Sequence, residues 1–235
     1  MSLHGKVAIV TGAAGQLGRA VAAKLGQHGA HLVLLDKQRP STTELEGTHG
    51  NVVACQADLL DRDQLLPAIQ ETIAPWGRVD LLCHIAGGFR MGPAVHETPL
   101  ADWQFLTDLN ATSLINIAHA VVPYMLAQSA GRIVTVGAGA AMRGKALMGA
   151  YCASKSSLIR LTESLSAELL DKNINVNCVL PSIIDTPDNR AGMPDADPAR
   201  WVTPEALADV IAFLCSDLAR AIHGVALPVT GQTAI

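Results

Sequence analysis

Aromatic residues are scarce, making up 3% of the 235 residues, and charged residues account for only 16%. With 49% of the chain apolar, burial must rest on valine, leucine, isoleucine and alanine, which suits a well-covered sheet and excludes disorder driven by charge. No apolar run is long enough to cross a bilayer, and the opening Met1-Ser2-Leu3-His4-Gly5-Lys6 lacks the apolar core of a secretory signal, so a soluble cytoplasmic protein with no membrane partner is expected. Basic runs are missing too, and the formal net charge is -4. Nucleic acid is therefore a poor match, because its phosphates need clustered Lys and Arg. The five cysteines, at 55, 83, 152, 178 and 215, form no CxxC pair, and the eight histidines no HExxH. Reduced thiols and no bound metal are expected.

What is present is an alternation. Val7–Val10, Leu32–Leu35, Val52–Cys55, Leu81–Cys83, Ile133–Val136 and Ile174–Val179 are short, mostly apolar runs without strict alternation, as expected of strands covered on both faces. Val225–Val229 contains Pro228 and reads as a last strand at a sheet edge. Helical periodicity fills the intervals, which predicts a Rossmann-type, doubly wound parallel sheet. No composition shift divides the chain, so residues 1–235 are expected to form one α/β domain. Pro181 to Pro198 is long enough to be a mobile lid, after which Thr203-Pro204-Glu205 reads as a capped helix start.

Two clusters carry chemistry. Thr11-Gly12-Ala13-Ala14-Gly15-Gln16-Leu17-Gly18 follows the first strand and opens a helix through Val21, Leu25 and His28. Its glycines allow a tight turn against a pyrophosphate, and the helix end offers free N–H groups. Asp36 closes the second strand, where a carboxylate accepts hydrogen bonds from the adenosine ribose; its charge repels a 2'-phosphate and favours NAD(H), although Lys37, Arg39 and Arg19 leave NADP(H) open.

The second cluster is Tyr151-Cys152-Ala153-Ser154-Lys155. Helical spacing puts the phenol and the ammonium on one face, and a nearby cation is expected to lower the tyrosine pKa toward the range of a general acid or base. Asn110 falls on the apolar stripe of Trp103, Leu106, Leu114, Ile117 and Val121, where an amide must find polar partners.

The ordered set of the glycine turn, Asp58-Leu59, Ala86-Gly87, Asn110, Tyr151-xxx-Lys155 and Pro181–Thr186 resembles the short-chain dehydrogenase/reductase family over essentially the whole chain. The resemblance implies an NAD(P)-dependent oxidoreductase, a homodimer or homotetramer, acting on a small molecule. Its site residues carry over as follows. Gly12, Leu17 and Gly18 line the pyrophosphate, with Gln16 beside them; Asp36 holds the ribose, and Asp58 and Leu59 the adenine. Ala86 and Gly87 pack beside the cofactor, and Pro181, Ile184 and Thr186 bind it, Thr186 at the nicotinamide carboxamide. Tyr151 exchanges the proton, Lys155 binds the nicotinamide ribose and tunes the tyrosine, and Asn110 anchors a water-mediated proton path.

Three positions depart from the family pattern. The middle glycine of the turn is displaced to Gly15-Gln16. His84 stands where an asparagine often begins the motif before Ala86-Gly87, and is expected to be a structural strand-end residue. Ala138 occupies the position of the catalytic serine, so no hydroxyl is available there to polarise a carbonyl. The dihydropteridine reductase branch is similar in that loss, in Ala86-Gly87-Gly88-Phe89, and in Leu180–Arg190, Met193–Asp197 and Trp201. This implies a conjugated, pterin-like acceptor. A carbonyl or secondary-alcohol (3-oxoacyl-type) reductase and a catalytically weakened dinucleotide sensor are the alternatives.

Overall fold

The computed structural model describes residues 1–45 and 48–233. Seven parallel strands, β1 (Val7–Thr11), β2 (His31–Asp36), β3 (Val52–Gln56), β4 (Leu81–His84), β5 (Gly131–Val136), β6 (Ile174–Pro181) and β7 (Ala226–Val229), form one sheet in the order β3-β2-β1-β4-β5-β6-β7. The helices are α1 (Gln16–Gln27), α2 (Arg62–Ile73), α3 (Leu100–Thr107), α4 (Ser113–Gln128), α5 (Gly149–Leu169), α6 (Pro187–Gly192) and α7 (Pro204–Cys215). The expected doubly wound Rossmann-type sheet is what forms.

The strand runs are apolar without alternation because both faces are covered. Ala8, Val10, Leu32 and Leu34 point to the layer of α1 and α7, with Val21, Leu25, Leu207 and Ile211. Ile9, Val33 and Leu82 point the other way, to Leu65 and Ile69 of α2, Ile117 and Val121 of α4, and Leu158 of α5. With few aromatics to fill space, aliphatic side chains carry both layers. β7 lies at an edge, where Pro228 needs no ladder partner on its outer side. All five cysteines are buried free thiols.

Thr203 caps α7 as the sequence predicts, accepting from Ala206 N–H at 3.2 Å ahead of Pro204. The Trp103–Val121 stripe lies on helical backbone that continues from α3 to α4 through a π turn at Asp108–Thr112, and Trp103 at its start is 42% exposed. The stretch 181–198 carries structure of its own. Ile184 bridges Val202, Ser182 donates to Thr230 C=O at 2.8 Å, and Thr186 caps α6. A backbone bridge and two side-chain bonds thus hold its base.

The amino end of the sheet is held by Asp80. Its buried carboxylate accepts from Val7 N–H at 2.9 Å and Arg78 Nε at 3.0 Å, and lies 3.5 Å from Lys6 Nζ. Removing the carboxylate strands these donors. Asp80→Ala is expected to lose on the order of 2 kcal/mol of unfolding free energy, read by urea denaturation as a lower midpoint at unchanged slope.

Candidate active site

The chain reverses direction across the sheet between β1 and β4, which pair in register at Thr11 and His84. A crevice opens there at the strands' carboxyl ends, where open α/β sheets bind ligands. Two turns leave it side by side: Gly12–Gly15, leading to α1, and Ile85–Gly88, leading away from β4.

Gly12 has φ +64°, and a Cβ on it would lie 2.9 Å from Ala86 Cα, so only glycine lets the two turns touch. A Cβ on Gly18 would collide with the Gly12 carbonyl oxygen. Gly15, the displaced glycine, is the N-cap of α1 and donates to Gly12 C=O at 3.1 Å. No side chain caps α1, and its first turn, which begins with Gln16 and Leu17, carries no acid. Bare N–H groups, a positive helix end and a cleared backbone fit a pyrophosphate, so the residues present suit a dinucleotide.

Asp36 joins this cradle from the end of β2. Its carboxylate accepts from Ala14 N–H and Gln38 N–H, both at 3.1 Å, and so locks the glycine turn to the strand. Asp58 lies beside it and pairs with Lys37 at 2.8 Å, which holds its carboxyl below the usual range and raises the lysine. Asn116 on α4 donates to Leu59 C=O at 2.8 Å and accepts from Arg62 Nε at 2.6 Å, fixing the Asp58-Leu59 corner. Nothing in the sequence motif marks Asn116; its polar side chain on a buried helix face is the signal that could have found it.

The other side of the crevice gathers Gly87, Asn110, Tyr151 and Lys155. Asn110 Oδ1 accepts from Gly88 N–H at 2.9 Å, while Nδ2 donates to Gly88 C=O and to Ser154 Oγ, each at 3.0 Å. The π turn aims this amide inward, a use seen often at functional sites. A Cβ on Gly87 would stand 2.8 Å from Lys155 Nζ and 3.0 Å from Asn110 Oδ1. Tyr151 is half-buried, edge-on to the Phe89 ring at 4.8 Å. Pro181 ends β6, Ile184 forms the bridge to Val202, and Thr186 Oγ1 accepts from Asn189 N–H at 3.2 Å while its own proton stays available. Ala138, 5% exposed, follows β5 with no hydroxyl to offer.

Electrostatics corrects one expectation. Lys155 does not lower the tyrosine pKa: burial, with Cys152 adding to it, pushes Tyr151 up to about 12. The ammonium donates to Val136 C=O at 2.8 Å, and burial brings Lys155 down to about 8. His84 is buried with both ring nitrogens engaged, as a strand-end residue; burial and the Lys155 charge lower it to about 3, so it is neutral. Among the described residues no three His, Cys, Asp or Glu gather as a metal site, and no helix is long and apolar enough to cross a membrane.

Residues 6–196 match the family model for short chain dehydrogenases. A 3-oxoacyl-[acyl-carrier-protein] reductase of Thermotoga maritima is 31% identical, with all of both chains covered. Carveol dehydrogenase of Mycobacterium avium, solved with NAD, superposes with a TM-score of 0.89 at 27% identity over 97% of each chain. A structure described as an NAD(P)-dependent gluconate 5-dehydrogenase from Beutenbergia cavernae with bound NADP gives 0.87 at 30% identity, covering 98% of this chain and 97% of that one.

Lys155 has an ordinary value of 10.5 when unfolded and about 8 when folded. Between those values the unfolded chain binds the extra proton, so stability rises with pH; below about pH 8 the burial cost is fully present. Relative to Lys155→Met, the wild type is expected to gain on the order of 2 kcal/mol between pH 8 and pH 10, measured by denaturant unfolding at each pH.

Proposed function

Because the chain belongs to the short-chain dehydrogenase/reductase family, and is thus an NAD(P)-dependent oxidoreductase, we propose that it uses NAD(H) to reduce a small organic substrate whose conjugated ring accepts hydride, such as a pterin-like heterocycle. The whole chain, 1–235, acts as one cofactor-binding domain. The observation that carries the substrate class is Ala138: beside Tyr151 there is no serine hydroxyl to hold a carbonyl oxygen, whereas a conjugated heterocycle spreads the incoming charge over its own atoms. Phe89, edge-on to Tyr151 and 54% exposed, offers such a ring an apolar face.

The Asp36 carboxylate supports NAD(H) over NADP(H), and Lys37, committed to Asp58, has less to give a 2'-phosphate. Gly12, Gln16, Leu17 and Gly18 would hold the pyrophosphate, Asp36 the ribose, and Asp58 and Leu59 the adenine. Ala86, Gly87, Pro181, Ile184 and Thr186 would line the nicotinamide side. When bound, the cofactor supplies the hydride. Tyr151, protonated at neutral pH, gives its proton to the substrate, and Lys155, held by Val136 C=O, would bind the nicotinamide ribose. Asn110 keeps the Gly88 backbone and Ser154 in register and anchors the water path that returns the proton. The protein works in the cytoplasm as a homodimer or homotetramer.

A second reading, a carbonyl or secondary-alcohol oxidoreductase, is favoured by the substrates in the relatives' names, an oxoacyl carrier and a terpene alcohol. NADH oxidation with quinonoid dihydropterin and with a panel of ketones separates the two. Turnover on the pterin and little on ketones is expected; the reverse would sink the first reading. Tyr151→Phe is expected to lower kcat by about a thousandfold. Ala138→Ser is expected to raise ketone reduction by on the order of a hundredfold.

A further inference from the structure

His84 does more than fill the end of β4. Its ring is 1% exposed and lies between the two elements that meet at Lys155. On one side Nδ1 is 3.0 Å from Thr11 Oγ1, and that oxygen accepts from Ile85 N–H and Ala86 N–H, both at 3.1 Å. On the other side Nε2 is 3.2 Å from Ser113 Oγ, which donates to Leu109 C=O at 2.6 Å. Proton counting orders the chain. The Thr11 oxygen already accepts twice, so its single hydrogen goes to Nδ1; Ser113 has spent its hydrogen on Leu109, so it accepts from Nε2–H. Every group is satisfied, with one tautomer and no charge.

The two ends of this chain are not arbitrary. Ile85 and Ala86 open the turn that carries Gly87, and Leu109 precedes Asn110 in the π turn. We infer that His84 is a positioning residue for the nicotinamide half of the site: it is the strut that sets the Ile85–Gly88 turn against the Asn110 turn. The spacing is tight at that point, since Gly87 has no room for a Cβ between Lys155 Nζ and Asn110 Oδ1. Asn110 ties the same two elements together through Gly88, so the strut and the amide act on one gap. The bonds that hold the glycine turn, from Ala14 N–H to Asp36 and from Gly15 N–H to Gly12 C=O, do not pass through His84.

The test separates the two halves of the cofactor. Calorimetric titrations would use NADH, or NADPH if the wild type holds it more tightly, and ADP, which lacks the nicotinamide riboside. His84→Phe keeps an aromatic ring, one ring atom larger, and removes both hydrogen bonds. Ser113→Ala leaves the histidine and its Thr11 bond in place and removes both bonds of the serine hydroxyl, from His84 Nε2 and to Leu109 C=O; it carries the same expectation should the first variant fail to fold. The expected result is a Kd for the reduced cofactor about tenfold weaker with ADP held within about twofold. In an Asn110→Ala background the effect of His84→Phe should shrink, because both act on the same gap. Equal weakening of both ligands, loss of ADP binding alone, or a fall in Tm with both affinities intact would overturn the inference. Wild-type binding is the control: if it holds neither reduced cofactor, dinucleotide binding itself has failed rather than the strut.

Discussion

The register of β1 against β4 is the constraint on which the rest of the molecule depends. Pairing Thr11 with His84 at the point where the strand order reverses brings two turns out of the sheet at the same height. One leads into the bare end of α1 and the other into the Gly87-Gly88 backbone that Asn110 grips. A slip of one residue would put Thr11 and His84 on opposite faces of the sheet. Thr11 would then lose the Ile85 and Ala86 amides, and His84 its bond to Ser113. The site is therefore a consequence of sheet register, with both halves referred to one pair of residues.

The same construction explains the charge state of the site. Covering the sheet on both faces leaves Lys155 5% exposed, with Val136 C=O as its hydrogen-bond acceptor. Desolvation disfavours charge of either sign, so it moves Lys155 down and Tyr151 up, and both shifts favour neutral forms. In place of the expected direct action of the lysine on the phenol, burial with Cys152 adding to it sets the tyrosine's shift. At neutral pH the phenol is therefore protonated, and its raised pKa makes it a weaker acid than a free tyrosine.

The cofactor side was readable from the sequence because its requirements are local. A glycine at positive φ, a helix opened without a cap and an acid at the next strand end are each fixed by a few neighbouring residues, and Gly12, Gly18 and Asp36 stand where these demands put them. The parallel sheet was readable for a similar reason, since strands buried twice show no alternation. The π turn was not. An apolar stripe at helical spacing runs through Asn110 without a break, and the extra residue that turns the amide inward leaves no mark in that period. The pKa of Lys155 was hidden for a different reason: it depends on how completely β5, β6 and α5 close over one atom, which is a tertiary quantity.

Ala138 is where these arguments meet. Its side chain is buried after β5, and the nearby polar groups already have partners: Ser154 receives the Asn110 amide and donates to Tyr151 C=O, and Lys155 is bound to Val136 C=O. Ser156 likewise donates to Ala141 C=O at 2.6 Å. The hydroxyls of Ser154 and Ser156 are thus already committed. On the proposed function, selectivity would fall to shape and stacking, with Phe89 edge-on to Tyr151, and to substrates that carry their own means of spreading charge. On that proposal the missing hydroxyl narrows the chemistry of the site while the strand register, the glycine turn and the Tyr151-Lys155 pair stay in place.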